Sequence, residues 1–315
     1  MTKRIILDCD PGHDDAMAIL LAYGTPEVSL AAITTVAGNH PLPLTTLNAR
    51  RVCTLAGITD VPLAAGCAAP LVRSLVTAQE IHGTEGLEGH QWSEPSVQAV
   101  PDHAVDVIID LVMAEPGEIT LVPIGPLTNI AMALRKEPRI VERAREVVLM
   151  GGSYTGGNIT PAAEFNIYVD PEAAAMVFAA GWPVTMIGLE VTRQASATEA
   201  IFSRLAALDS PVARAVVGML RFYQDQQRRE VGVNEPPVHD PCAVARVARP
   251  ELVTCRDAHV GVELAGKFTA GMTVVDFRGR AGSRPNARVG VDLDLAGFWD
   301  LFVDSLRAAP VPGAL

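Results

Sequence analysis

Apolar and polar positions fall into alternating blocks along the first half of the chain. Short apolar runs rich in β-branched residues are each followed by a longer stretch with helical spacing. The pattern predicts strands at residues 4–9, 29–36, 119–123, 146–150 and 184–187. It predicts helices at 16–23, 44–56, 104–113, 127–135 and 171–180. Strand and helix in alternation imply a mostly parallel central sheet flanked by helices on both faces.

The second half reads differently. Two consecutive helices are predicted at 197–208 and 211–229, split by Asp209-Ser210-Pro211, with Ser210 and Asp209 as cap candidates. Another helix follows at 241–248, then a strand pair at 260–264 and 272–276, then a last helix at 295–306. Residues 84–98 form a polar, Gly-rich stretch without periodicity, the kind of loop that often serves as a lid. No Pro/Gly/Ser linker and no internal repeat divides the chain. The expected architecture is one α/β domain spanning residues 1–315, Rossmann-like, with a helical cap over the C-terminal ends of the strands.

Composition narrows the class. With 315 residues, 49% of them hydrophobic and only 19% charged, the chain has enough apolar material for a large core. A formal charge of −11 argues against nucleic acid as the main partner, because phosphate binding needs clustered Lys and Arg. It leaves a small-molecule substrate open. The five cysteines (Cys9, Cys53, Cys67, Cys242 and Cys255) form no CxxC pair and are odd in number, so a reduced, cytoplasmic setting is expected. The N-terminal stretch lacks the pattern of a signal peptide, and no run of 18 apolar residues suggests a membrane span.

The chemistry gathers first at Asp8-Cys9-Asp10-Pro11-Gly12-His13-Asp14-Asp15. Four carboxylates within eight residues repel one another, and burying one costs several kcal/mol unless it is paired. Strand alternation puts Asp8 and Asp10 on one side, and Asp14 and Asp15 open the next helix. Complementing the helix dipole explains the last two acids but not the first two. A hard divalent cation with oxygen ligands explains all four. Other polar groups also follow strand ends: Asn39 after Gly38, Gly125-Pro126-Leu127-Thr128-Asn129, and Gly151-Gly152. Parallel sheets bind ligands at those ends. The run from Gly151 to Gly157 lacks the Lys-Ser/Thr ending of a phosphate loop and reads as a place where backbone approaches a ligand. Asn158, Glu164 and Asn166 add a polar cluster, and His239-Asp240-Pro241 opens a helix where Asp240 has an ordinary reading as N-cap.

Taken together and in this order, these motifs resemble the inosine-uridine preferring nucleoside hydrolase family. Asp8 to Ala16 matches the family's DxDPGxDDAxA signature, and Val36-Ala37-Gly38-Asn39, Ile81-His82-Gly83, Gly125 to Ala131, Met150-Gly151-Gly152, Glu164-Phe165-Asn166 and His239-Asp240-Pro241 follow in register. The resemblance implies a tightly bound calcium ion held by Asp10, Asp15, Asp240 and the main-chain oxygen of Ile124. It implies that Asp14, Asn158, Glu164, Asn166 and the backbone around Met150 hold the ribose, with Asn39 orienting Asp10 and a water. It assigns base contacts to the loop after His82 and to the helix carrying Tyr223 and Gln227, whose spacing of four otherwise suits ordinary packing. Relatives of this kind are commonly dimers or tetramers, so a homo-oligomer is expected.

The reaction so implied is hydrolysis of the N-glycosidic bond of a ribonucleoside. Asp10 acts as general base on water, the ribose becomes oxocarbenium-like, and His239 assists the leaving base. A glutamine at 227 suits the amide-like edge of a pyrimidine, which leans toward uridine and cytidine, with inosine also accepted. Two departures stand out: Glu85 replaces the Asp many relatives carry in the His82 loop, and Val231 offers no hydroxyl or ring. Two other readings compete: a magnesium-dependent phosphohydrolase of the haloacid-dehalogenase type, and a non-catalytic nucleoside-binding module.

Overall fold

A computed structural model describes residues 2–308. Its nine strands are β1 (Lys3–Cys9), β2 (Val28–Thr35), β3 (Leu63–Ala65), β4 (Ile119–Pro123), β5 (Glu146–Met150), β6 (Val184–Ile187), β7 (Val253–Val262), β8 (Thr273–Asp276) and β9 (Ala287–Leu293). They form one sheet in the order β3-β2-β1-β4-β5-β6-β9-β7-β8. From β3 through β9 every pairing is parallel; β7 runs antiparallel to β9 and β8 antiparallel to β7. The mostly parallel sheet flanked by helices is therefore as the hydrophobic pattern implies.

Alternation along β1 explains why both faces are covered. Ile5, Leu7 and Cys9 pack into one apolar core with the helices His13–Gly24, Leu42–Ala56 and Leu295–Ala308, while Ile6 enters a second core with Ala104–Ala114, Thr128–Lys136 and Pro171–Ala179. A sheet buried on both sides reads as near-continuous apolar sequence, as β1 does. The accessible surface of 12631 Å² matches the roughly 12,600 Å² expected for a folded chain of this mass. Among the described residues no helix is long and apolar enough to cross a membrane. All five cysteines are free thiols.

Several expected elements differ. The first helix begins at His13 rather than residue 16, because the Asp15 carboxylate at its third position accepts from the Gly12 amide and caps the turn. Ser210 caps the helix Pro211–Glu230 by accepting from Ala213 N at 3.0 Å, so of the two cap candidates Ser210 holds the position. The expected strand at 260–264 is the end of a longer β7, and β3 and β9 were not foreseen. Residues 84–98 contain no helix or strand, as expected.

Candidate active site

At the C-terminal ends of β1, β2, β4, β5 and β6 the chain turns into loops that wall a cavity of about 460 Å³. Its floor is anionic. Asp14, Asp15 and Asp240 each present a carboxylate oxygen within 4.8 Å of the others, all three side chains buried. Asp15 stands at the third position of the first helix, where it accepts from the backbone amides of Asp10 and Gly12, both at 3.0 Å. The carboxylate thus caps the turn after β1, and the Pro11-Gly12 bend brings Asp10 back over it.

Asp10 lies just beneath the cavity, fully buried. Its Oδ2 accepts from the Asn39 backbone amide at 2.6 Å, and its Oδ1 has no hydrogen-bond partner. Glycine at 38 and at 125 is required here, since a Cβ at either position would collide with the Asp10 carboxylate. Asn39 also reaches Asp15 Oδ2 through its side-chain amide at 3.2 Å, tying the two acids together.

Burial, with neighbouring acids adding to it, pushes the Asp10 and Asp240 carboxyls well above their ordinary range and Asp15 up to about 7. Asp14 is raised by burial too, against the opposing charge of His239 and an amide bond from the His239 backbone. Ionised carboxylates crowded within 4.8 Å of one another need a shared proton or a cation between them. A buried set of hard oxygens, with Asp10 Oδ1 lacking any partner, fits a divalent cation of the calcium type. Asp15, Asp240 and the orphaned Asp10 Oδ1 would hold it, with Asp14 within 4.8 Å of the first two. The Ile124 carbonyl lines the same cavity; it accepts from Asn166 Nδ2 at 2.8 Å and keeps a second lone pair.

Polar side chains rise from the floor on the β5 side. Glu164 receives amide N–H bonds from Gly152, Asn166 and Ile167 at 2.9, 2.9 and 3.1 Å, yet burial still raises its carboxyl to about 7. Asn166 donates to the carbonyls of Ile124 and Met150, and Asn158 accepts from Phe165 N at 2.9 Å. Asn39, Asn158, Glu164, Asn166 and Met150 all line the cavity, as the sequence motifs imply.

The upper wall is aromatic and imidazole-rich. His82 and Tyr223 stack with centroids 5.6 Å apart, and both line the cavity with Gln227. Gln227 donates its side-chain N–H to the Tyr223 hydroxyl at 3.0 Å, leaving its carbonyl oxygen for an incoming donor. His82 Nδ1 accepts from the His13 backbone amide at 3.3 Å. His239 is half-buried, with Nδ1 on the Thr192 hydroxyl at 2.7 Å. Burial lowers the His239 pKa, opposed by Asp14.

Two sequence expectations need correction. Asp240 does not cap the helix Pro241–Ala248: its backbone is already helical and its carboxylate turns to the acidic floor instead. Asp8 does not share the site with Asp10. It ends against Thr34 and Asn129, accepting at 2.6 and 2.7 Å, because the chain bends after Cys9 and breaks the alternation. Glu85 pairs with Arg51 at 3.3 Å on the surface and does not face the cavity. Sequence reasoning missed Ile81, Phe165, Arg193 and Ser196 in the wall. Arg193 and Ser196 follow the end of β6, so the strand-end rule applied to the other strands would have found them.

The parallel sheet thus carries, at the C-terminal ends of its strands, a cavity with an acidic floor and an aromatic and imidazole wall. The sequence model of one family, Inosine-uridine preferring nucleoside hydrolase, matches residues 5–300. The chain is 52% identical over 309 residues to the inosine-uridine preferring nucleoside hydrolase of Crithidia fasciculata, covering 98% of each. It is 47% identical to the pyrimidine-specific ribonucleoside hydrolase RihA of Shewanella woodyi, over 98% of this chain and 99% of that one. A solved plant nucleoside hydrolase, the PpNRh1 enzyme, superposes with a TM-score of 0.92 at 32% identity, over 98% of this chain and 100% of that one. The chain belongs to the inosine-uridine preferring nucleoside hydrolase family and is an enzyme of that class.

Proposed function

We propose that the protein hydrolyses the N-glycosidic bond of ribonucleosides, releasing free base and ribose, with calcium bound in the acidic floor. The observation that carries this reading is the meeting of Asp10, Asp14, Asp15 and Asp240 under a cavity walled by Asn158, Glu164 and Asn166. Family membership removes the phosphohydrolase alternative, and the presence of both Asp10 and His239 favours an enzyme over a passive binding module.

A divalent ion held there by Asp10, Asp15 and Asp240 would offset the charge of the carboxylates and supply Lewis-acid activation of water. Asp10 accepts the proton of the attacking water, its carboxylate held in place through Oδ2 by the Asn39 backbone amide. Asp14, Asn158, Glu164 and Asn166 orient the ribose, and Glu164 and Asp14, once ionised, favour positive charge developing on the sugar. His239, in the cavity wall, supplies a hydrogen bond to the departing base.

Base preference belongs to this reading. The free carbonyl oxygen of Gln227 suits an N–H on the base edge, such as the imide of uracil, the amine of cytosine or the lactam of hypoxanthine. Uridine and cytidine are the favoured substrates, inosine a further one. Cytoplasmic residence and a homo-oligomeric state complete the proposal; light scattering checks the latter. Incubating the purified protein with uridine, cytidine and inosine in calcium and separating the products by chromatography tests the function. Base and ribose in equal amounts support it, and nucleosides left intact overturn it.

A further inference from the structure

A single helical turn, Leu189–Thr192, follows β6. None of the sequence motifs includes it. Its first polar side chain, Glu190, gathers the loop that follows β5. One carboxylate oxygen accepts from the Ser153 hydroxyl at 2.6 Å, the Tyr154 amide at 2.8 Å, and the Thr155 amide and hydroxyl at 2.8 and 2.7 Å. Arg193 fastens the far end of that loop, donating to the Gly157 carbonyl at 2.8 Å. The next residue is Asn158, in the cavity wall.

Thr192 closes the same turn, fully buried, with its hydroxyl 2.7 Å from His239 Nδ1. The hydroxyl has no other hydrogen-bond partner among the described residues, so its single proton is directed at Nδ1. With Nδ1 accepting that proton, the ring's own N–H lies on Nε2, the nitrogen left for the cavity. The reverse tautomer would present a lone pair there and could not donate to a leaving base.

The turn is itself held rigidly. Leu189 N donates to the Gly152 carbonyl at 3.0 Å, and on its other side the turn packs on β9 at Gly290, where an added Cβ would lie 2.8 Å from Val191 Cγ2. We propose that the Leu189–Thr192 turn is a positioning element for the hydrolysis, in which Thr192 sets the proton-donating tautomer of His239 and Glu190 fixes the loop that carries Asn158. The proposal rests on the nucleoside hydrolase reading above.

The two arms act on different parts of the substrate, which makes them separable. Thr192 concerns only the departing group, so its loss is felt when that group needs help. A p-nitrophenyl riboside leaves as a stabilised phenolate and needs little help. Thr192→Val is expected to lower kcat on uridine by about 10- to 100-fold while leaving kcat on p-nitrophenyl riboside within about twofold. Thr192→Ser, which keeps the hydroxyl, is expected to restore the uridine rate. Glu190→Gln is expected to raise KM for both ribosides by a similar factor of several-fold, since both share the sugar. The uridine-to-aryl ratio is measured within one preparation, so incompletely folded protein cancels.

A Thr192→Val enzyme whose two rates fall in equal proportion, or do not fall, overturns the role of Thr192. A Glu190→Gln enzyme with KM unchanged overturns the role of Glu190. Wild-type protein inactive on both ribosides would overturn the hydrolase reading itself, an outcome recognised before any variant is made.

Discussion

Asn39 joins two acids that could not otherwise lie side by side: its backbone amide binds Asp10 Oδ2 at 2.6 Å and its side chain binds Asp15 Oδ2 at 3.2 Å. The residue also donates to the Asp10 carbonyl at 3.2 Å, so three bonds fix the turn after β1 from outside it. One oxygen of Asp10 remains unpartnered, and the proposed chemistry turns on that oxygen.

Asp10→Asn removes the proton acceptor while keeping the shape. Ribose release is expected to fall by about 10²-fold or more, the usual scale of a positioned general base. Asp10→Ala is expected to do the same. Steady-state kinetics with uridine checks both, and a variant within threefold of wild type would exclude Asp10 as the base.

Asn39→Ala withdraws one side-chain bond from Asp15 and one from the Asp10 carbonyl but leaves the backbone amide in place. Calcium affinity is expected to drop by about 10- to 100-fold, as for other groups that orient metal ligands. Calorimetric titration of calcium into stripped protein measures it directly.

The buried carboxyls also set a pH dependence of stability. Burial raises Asp8 and Glu164 to about 7 in the folded chain, against ordinary values near 4 when unfolded. The folded state therefore holds extra protons between about pH 4 and 7, and metal-free stability falls as pH rises through that window. Each such group contributes a slope of at most about 1.4 kcal/mol per pH unit. Asp8→Asn keeps an acceptor for Thr34 and Asn129 and removes one titration, so its melting temperature should decline less steeply with pH. An unchanged slope would contradict the assignment to Asp8.

Calcium should reverse that trend at the site floor. Its ligands must be ionised to bind it, so the rise in melting temperature on adding calcium should be larger at pH 8 than at pH 5. Differential scanning fluorimetry at the two pH values reads the difference.

The central strands were plain in the sequence because burial on both faces makes them uninterrupted apolar runs; β4, β5 and β6 end where the pattern ends. The edge region was not. A bulge between Thr254 and Cys255 disrupts the period of β7, and Arg256 and Asp257 sit in it as exposed charges. Gly290 hides β9, and β3 is three residues long. In the site, Asp10, Asp14 and Asp15 stood out because they lie together in the chain. Asp240 did not stand out by itself, since an acid before a helical proline looks like a cap; only its motif set it apart. Glu190 and Thr192 gave no signal because their partners, Ser153 and His239, lie 37 and 47 residues away.

The most direct test strips the protein of metal with a chelator and returns calcium stepwise while free ribose from uridine is measured. Turnover should vanish on stripping and return in proportion to bound calcium, saturating near one ion per chain. Full ribose release by protein shown to hold no calcium would contradict the claim that a cation among Asp10, Asp15 and Asp240 makes the site work.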